Sequence, residues 1–247
     1  MGTHAEAIVN ASNVIVATPD ILKASAPDAR QRLLEGCSIL VVDEAHHITA
    51  ATWGEVRDRF TAKKIVQFTA TPFRRDEKKV DGKIIFNFKL GDAQEAGYYR
   101  PINLRSVEEF GDQATRDQKI AAEAVAALRR DRNELGLDHL LMARTRTKER
   151  AEEVWKHYRK LAPEMKPVLV YSGPGRKTSN AKSMAQLYDR GTGGSRIVVC
   201  VDMLGEGVDL PNLKIAALHD THKSLAVTLQ FIGRITRKGN DKTIGDT

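Results

Sequence analysis

The sequence predicts an α/β chain of two lobes, each built on a parallel sheet with helices packed against it. Three observations predict this. Short apolar runs recur along the 247 residues, and most are followed by a helix-length stretch. Strand, helix, strand in repetition is the pattern of right-handed crossovers in a parallel sheet. Several runs are continuously apolar instead of alternating, as strands buried on both faces are. The pattern then breaks at Gly91-Asp-Ala-Gln-Glu-Ala-Gly-Tyr-Tyr-Arg-Pro101, which separates a first lobe, residues 1–100, from a second, residues 101–247.

The elements follow in order. Asn13 to Val16 reads as a strand, Pro27 to Leu34 as helical, and Ser38 to Val42 as a fully buried strand. A helix from Thr52 to Phe60 leads to a strand from Lys64 to Phe68, and Lys83 to Phe88 reads as a short strand. The second lobe opens with a strand at Ile102 to Arg105. A helix from Ala114 to Asp131 follows, with Ile120, Ala124, Val125 and Leu128 on one face. Asp138 to Ala143, Pro167 to Tyr171, Arg196 to Val201 and Lys214 to Leu218 are strands. Between and after them, helices are expected at Lys148 to Leu161, Ser179 to Arg190 and Ser224 to Arg237. No solenoid repeat and no low-complexity tract interrupts this order.

Composition narrows the function classes. No run of eighteen apolar residues is present, so no membrane span is expected. The start, Met1-Gly-Thr-His-Ala-Glu, lacks the basic and apolar regions of a secretory signal. Cys37 and Cys200 fall within separate apolar runs and read as core residues in a reducing cytoplasm. The formal net charge of +7 suits a polyanionic partner. Residues 1–105 carry 15 Lys and Arg against 13 Asp and Glu, and the remainder 24 against 19. With no like-charge block, the excess is expected along a groove and not in a basic tail.

The chemistry begins at Cys37-Ser-Ile-Leu-Val-Val-Asp-Glu-Ala-His-His47. Asp43 and Glu44 directly follow an apolar strand, at the carboxyl end where open α/β sheets bind their ligands. This is the layout of a Walker B element, whose Asp holds a nucleotide-bound Mg²⁺. His46 and His47 have no His-Glu-x-x-His spacing around them, so a zinc enzyme is not indicated. Thr69-Ala-Thr-Pro72 ends the next strand; its hydroxyls can bond a neighbouring carboxylate loop, and Pro72 stops the strand.

Together these two segments resemble motifs II and III of superfamily 2 helicases and translocases, the DEAD/DEAH-box group. Further motifs then occur in the family's order. Ala17-Thr-Pro-Asp20 resembles motif Ib, and Leu140-Leu-Met-Ala-Arg-Thr145 resembles motif IV. Val199-Cys-Val-Asp-Met-Leu-Gly-Glu-Gly-Val-Asp-Leu-Pro211 is similar to motif V, and Gln230-Phe-Ile-Gly-Arg-Ile-Thr-Arg237 to motif VI. His46-His47 and Thr71-Pro-Phe-Arg-Arg-Asp76 look like the branch of restriction-enzyme translocase subunits and DNA repair helicases.

The resemblance implies two RecA-like lobes and an ATP-dependent motor on single- or double-stranded DNA, acting with other subunits of a restriction or repair system. It implies that Asp43 holds Mg²⁺, that Glu44 activates water, and that Arg234 and Arg237 stabilise the transferring phosphoryl group. His46, Gly207, Asp209 and Gln230 would bind or sense the nucleotide. Thr18, Pro19, Thr69, Thr71, Arg144 and Thr145 would face nucleic acid or couple to it. A structural reading competes at Arg237, since a cation near a helix C-terminus is favoured in any case.

One family element is missing. Superfamily 2 motors cradle phosphates on a Gly-rich loop ending in Gly-Lys-Ser or Gly-Lys-Thr, upstream of motif Ib. Only sixteen residues precede Ala17, and none of them forms such a loop. Ser172-Gly-Pro-Gly-Arg-Lys-Thr178 ends similarly but has the wrong spacing, and Pro174 has no N–H to donate. The first lobe is therefore expected to be incomplete, with ATP and Mg²⁺ held weakly or not at all. The alternative expectation is a nucleic-acid-binding module without catalysis.

Overall fold

The computed structural model describes residues 10–45, 56–60, 62–69, 82–98, 102–201, 208–220, 233, 235–236 and 244. The chain divides into two compact units, residues 1–85 and 86–247.

In the first unit, α1 (Pro19–Ala24) and α2 (Pro27–Gly36) each begin on a proline, whose fixed φ suits a first helical turn. β1 (Ile39–Val42) and β2 (Lys64–Gln67) pair in parallel, Ile39 beside Lys64 and Val42 beside Gln67. The alternation of a strand puts Leu40 and Val42 on one face. Leu40 and Ile65 there meet Leu34, Val56 and Phe60. Ile39 and Val41, on the other face, remain 51% and 60% exposed. The ammonium of Lys63 donates to the carbonyls of Leu34, Glu35 and Cys37 at 2.6–3.0 Å, closing the C-terminal end of α2.

The second unit contains α3 (Leu90–Glu95), α4 (Gln113–Asn133), β3 (Leu140–Thr145), α5 (Lys148–Leu161), β4 (Val168–Val170), α6 (Arg176–Tyr188), β5 (Ile197–Val201) and β6 (Leu213–Leu218). Its four described strands run parallel in the order β4-β5-β3-β6. β3 is buried along its whole length. Leu141, Ala143, Ile197 and Val199 pack under Ala121, Val125 and Leu128 of α4 and Ala151, Val154 and Tyr158 of α5. Leu140, Met142, Val198 and Cys200 point to the opposite face, against Leu187, Leu210 and Leu213. That two-sided burial is what makes these strands continuously apolar in sequence.

The mixed α/β architecture with parallel sheets is as expected, and individual boundaries move. Asn13–Val16, Lys83–Phe88 and Ile102–Arg105 form no strand. α6 starts three residues earlier than expected, because Gly175 adopts φ +72° and turns the chain into the helix. Neither cysteine is in a disulfide; Cys200 is buried and Cys37 half-buried. No described helix is long and apolar enough to cross a membrane.

Candidate nucleotide and nucleic-acid site

The first unit joins two of the predicted motifs. Past the last β1–β2 pair, Phe68 N–H donates to the Val42 carbonyl at 2.8 Å, and Ala45 N–H donates to the Phe68 carbonyl at 2.9 Å. Residues 23 and 26 apart in sequence thereby share one edge of a parallel sheet, with Thr69 next in line. Ala45 is fully buried and anchors the turn, while Asp43 and Glu44 are exposed. Glu44 N–H donates to Asp43 Oδ1 at 2.9 Å. The backbone of Glu44 has φ +49°, a left-handed conformation costing a non-glycine residue about 1–2 kcal/mol. Such strain in an L-residue is common at functional turns. No sequence signal marks it, since Glu is not a residue that favours this region.

Thr18 is the N-cap of α1, and its hydroxyl accepts from Ile21 N–H at 3.3 Å, with Pro19 as first helical residue. His46 and Thr71 lie outside the described residues. Among those described, no group of three His, Cys, Asp or Glu side chains could hold a metal ion. Asp43 fits the sparser arrangement that Mg²⁺ takes, one or two carboxylates with water and substrate phosphates.

In the second unit Arg144 and Thr145 close β3 and are buried, at 1% and 0% exposure. Thr145 Oγ1 lies 3.3 Å from the carbonyls of Thr147 and Cys200, tying the ends of β3 and β5. Asp209 is exposed. Gly207, Gln230, Arg234 and Arg237 fall outside the described residues. Their described neighbour Ile235 packs on the core, and Lys214 Nζ donates to its carbonyl at 3.4 Å.

A cationic cluster lies at the carboxyl ends of β3 and β4. Arg176 stacks on Tyr171 at 4.3 Å and Lys148 sits above the same ring at 5.7 Å. Tyr171 O–H donates to Glu152 at 2.8 Å, which holds its phenol proton above the ordinary value. Arg146 and Lys177 are exposed beside them in sequence.

Behind this edge is a buried ionic network. Asp117 on α4 is 1% exposed and accepts from His219 Nδ1 at 2.9 Å. Arg150 brings a terminal nitrogen to 2.8–2.9 Å of both Asp117 oxygens. His219 Nε2 lies 3.0 Å from Tyr158 O–H, an arrangement that places the imidazole proton on Nδ1. Burial pushes the Asp117 carboxyl up, but hydrogen bonds from His219 and Arg150 outweigh it and leave it below the ordinary value. Burial and the Asp117 charge together raise the Tyr158 phenol. Sequence reasoning missed this network. The available signal was an acid at position 117 on the same helical stripe as Ala121, Ala124 and Leu128.

Residues 2–74 match the family model of the type III restriction enzyme res subunit, and residues 128–239 that of the helicase conserved C-terminal domain. A comparison with curated proteins returned no match. Among solved structures, the fragment of a putative HsdR subunit of a type I restriction enzyme from Vibrio vulnificus YJ016 is similar with TM-score 0.64 at 19% identity. That match covers 91% of this chain and 45% of the other. S. cerevisiae Dbp5 bound to RNA and ADP BeF3 gives 0.55 at 18% identity, over 94% and 61%. The ATP-dependent type ISP restriction-modification enzyme LlaBIII bound to DNA gives 0.54 at 18%, over 87% and 18%. The chain spans less than two thirds of each of these structures. The chain thus carries a match to a restriction-subunit model in its first part and to a helicase C-terminal model in its second, and it shares its fold with these solved structures.

Proposed function

We propose that this chain is the core of an ATP-dependent DNA helicase or translocase, its two functional halves residues 1–100 and 101–247. The observation that carries the reading is the Asp43–Glu44 turn, hydrogen-bonded to the Phe68–Thr69 strand end at the carboxyl edge of a parallel sheet. In this reading Asp43 would hold Mg²⁺, which when bound would supply positive charge to the nucleotide phosphates. Glu44 orients the attacking water and accepts its proton. Arg234 and Arg237 supply positive charge to the transferring phosphoryl group, while His46, Gly207, Asp209 and Gln230 respond to the nucleotide. Thr69 and Thr71 relay that response. Thr18 and Pro19 lie toward the nucleic acid, and Arg144 and Thr145 act from beneath the second unit's surface. The cations around Tyr171 support a polyanion at that edge.

The fold neighbour LlaBIII is DNA-bound and Dbp5 RNA-bound, and the restriction-subunit match supports DNA. The same match supports other subunits of a restriction or repair system as partners, and two cysteines outside any disulfide suit the cytoplasm.

A second reading, nucleic-acid binding without hydrolysis, is favoured by one sequence fact. No Gly-x-x-x-x-Gly-Lys-Ser/Thr run occurs in the 247 residues. ATP turnover by the chain, with and without DNA, separates the two. DNA-stimulated turnover that falls about 10²–10⁴-fold in Glu44→Gln supports the motor, as loss of a general base does. Absent turnover with DNA binding retained supports the second reading. Turnover indifferent to Glu44→Gln overturns the motor assignment.

A further inference from the structure

Arg150 faces three carboxylates at once. One terminal nitrogen reaches Asp117, the other donates to Glu153 at 2.9 Å, and Nε donates to Asp220 at 3.3 Å. Asp220 Oδ2 in turn accepts the backbone N–H of Arg146 at 2.7 Å. These groups come from four places: Asp117 from the first turns of α4, Arg150 from α5, Asp220 from the exit of β6, and Arg146 from the exit of β3. Just before them, His219 N–H donates to the Arg144 carbonyl at 3.0 Å, so the β3–β6 ladder runs directly into this junction. Thr147 then caps α5 through Arg150 N–H at 3.3 Å. Both ends of the Arg146–Lys148 turn are thus fixed, one by Asp220 and one by the helix cap.

The ion pairs are unequal in environment, and that decides what each does. Asp117 is almost fully buried and would be very costly to leave unpaired, so Arg150 is anchored there. Glu153 is largely exposed and contributes little. Asp220, 14% exposed, is the group whose position the anchored guanidinium dictates. Burial lowers the Arg150 affinity for its proton, but Asp117 and Glu153 more than offset this and hold the charge firmly.

We infer that Arg150 is a positioning residue: anchored on Asp117, it holds Asp220 and through it the Arg146–Lys148 turn. That turn presents two cations, Arg146 and Lys148, at the carboxyl edge of the sheet. Arg150 thereby pre-orders a phosphate-backbone contact without making one. The inference rests on the nucleic-acid reading given above for this edge.

Two measurements test it, and the first needs no ligand. Hydrogen exchange at the Arg146 amide is expected to accelerate about tenfold or more in Asp220→Ala and in Arg150→Met, while the β3 and β5 amides keep their protection. Asp220→Ala leaves the Arg150–Asp117 pair intact, so it remains informative if Arg150→Met fails to fold. Unchanged Arg146 protection in Asp220→Ala overturns the inference. The second measurement is the affinity for a short labelled DNA duplex by fluorescence anisotropy. Asp220→Ala is expected to weaken binding about three- to tenfold in the wild-type background. In an Arg146→Ala, Lys148→Ala background the same substitution is expected to change nothing, because the cations it positions are gone. An equal loss in both backgrounds overturns the positioning role. No binding by the wild-type chain defeats the nucleic-acid reading instead, and the amide measurement still decides whether the clamp exists.

Discussion

The position of Asp43 and Glu44 at the exit of a strand was legible, because an apolar run immediately precedes them. What the sequence could not display was the backbone at Glu44, where a left-handed turn accompanies the bond from Ala45 to Phe68, 23 residues away. Asp117 is the converse case: a charge on an apolar helical stripe, whose partners His219 and Arg150 are far away in sequence. Its removal is testable. Asp117→Ala leaves Arg150 without its buried partner and is expected to cost about 3–5 kcal/mol in urea unfolding. Because the folded carboxyl titrates below its ordinary value of 3.8, the stability it contributes is complete above that value. It is lost as pH falls through the lower folded value. Wild type is therefore expected to lose stability progressively as pH falls below 3.8, and Asp117→Asn to lose less over the same range.

Among the elements, β3 and β5 were readable since two-sided burial leaves a nearly continuous apolar run. Asn13–Val16, Lys83–Phe88 and Ile102–Arg105 have similar composition and form no strand. Pairing needs a neighbouring edge in the right place, which apolar character alone cannot supply; Val16 and Leu104 stay 94% and 86% exposed. Likewise the stretch from Gly91 to Pro101, read as the boundary, begins within α3, and residues from Phe86 onward group with the second unit. Burial also ranks substitutions within the strands. Leu141→Ala, at 0% exposure between α4, α5 and the sheet, is expected to cost about 2–5 kcal/mol. Val41→Ala, on the open face of β1, is expected to stay within about 0.5 kcal/mol. Denaturant midpoints of the two variants check this contrast.

At the scale of the whole molecule, the ordered motifs read from sequence agree with the two family matches, which fall on the two halves of the chain. The positive charge is spread over both parts and not gathered in a tail, so affinity for nucleic acid should come from folded surfaces. Neutralising phosphates releases condensed counterions, giving log affinity a slope of about −0.9 per contact against log salt on duplex DNA. The measurement that tests the central claim most directly is therefore the affinity of the 247-residue chain for duplex DNA, single-stranded DNA and RNA between 50 and 200 mM salt (an order-of-magnitude working range of about fourfold). Binding to DNA that weakens steeply across this range, with a slope lowered by about one in Lys148→Ala, is the result predicted. No binding at the lowest salt, or binding indifferent to salt, would contradict the account.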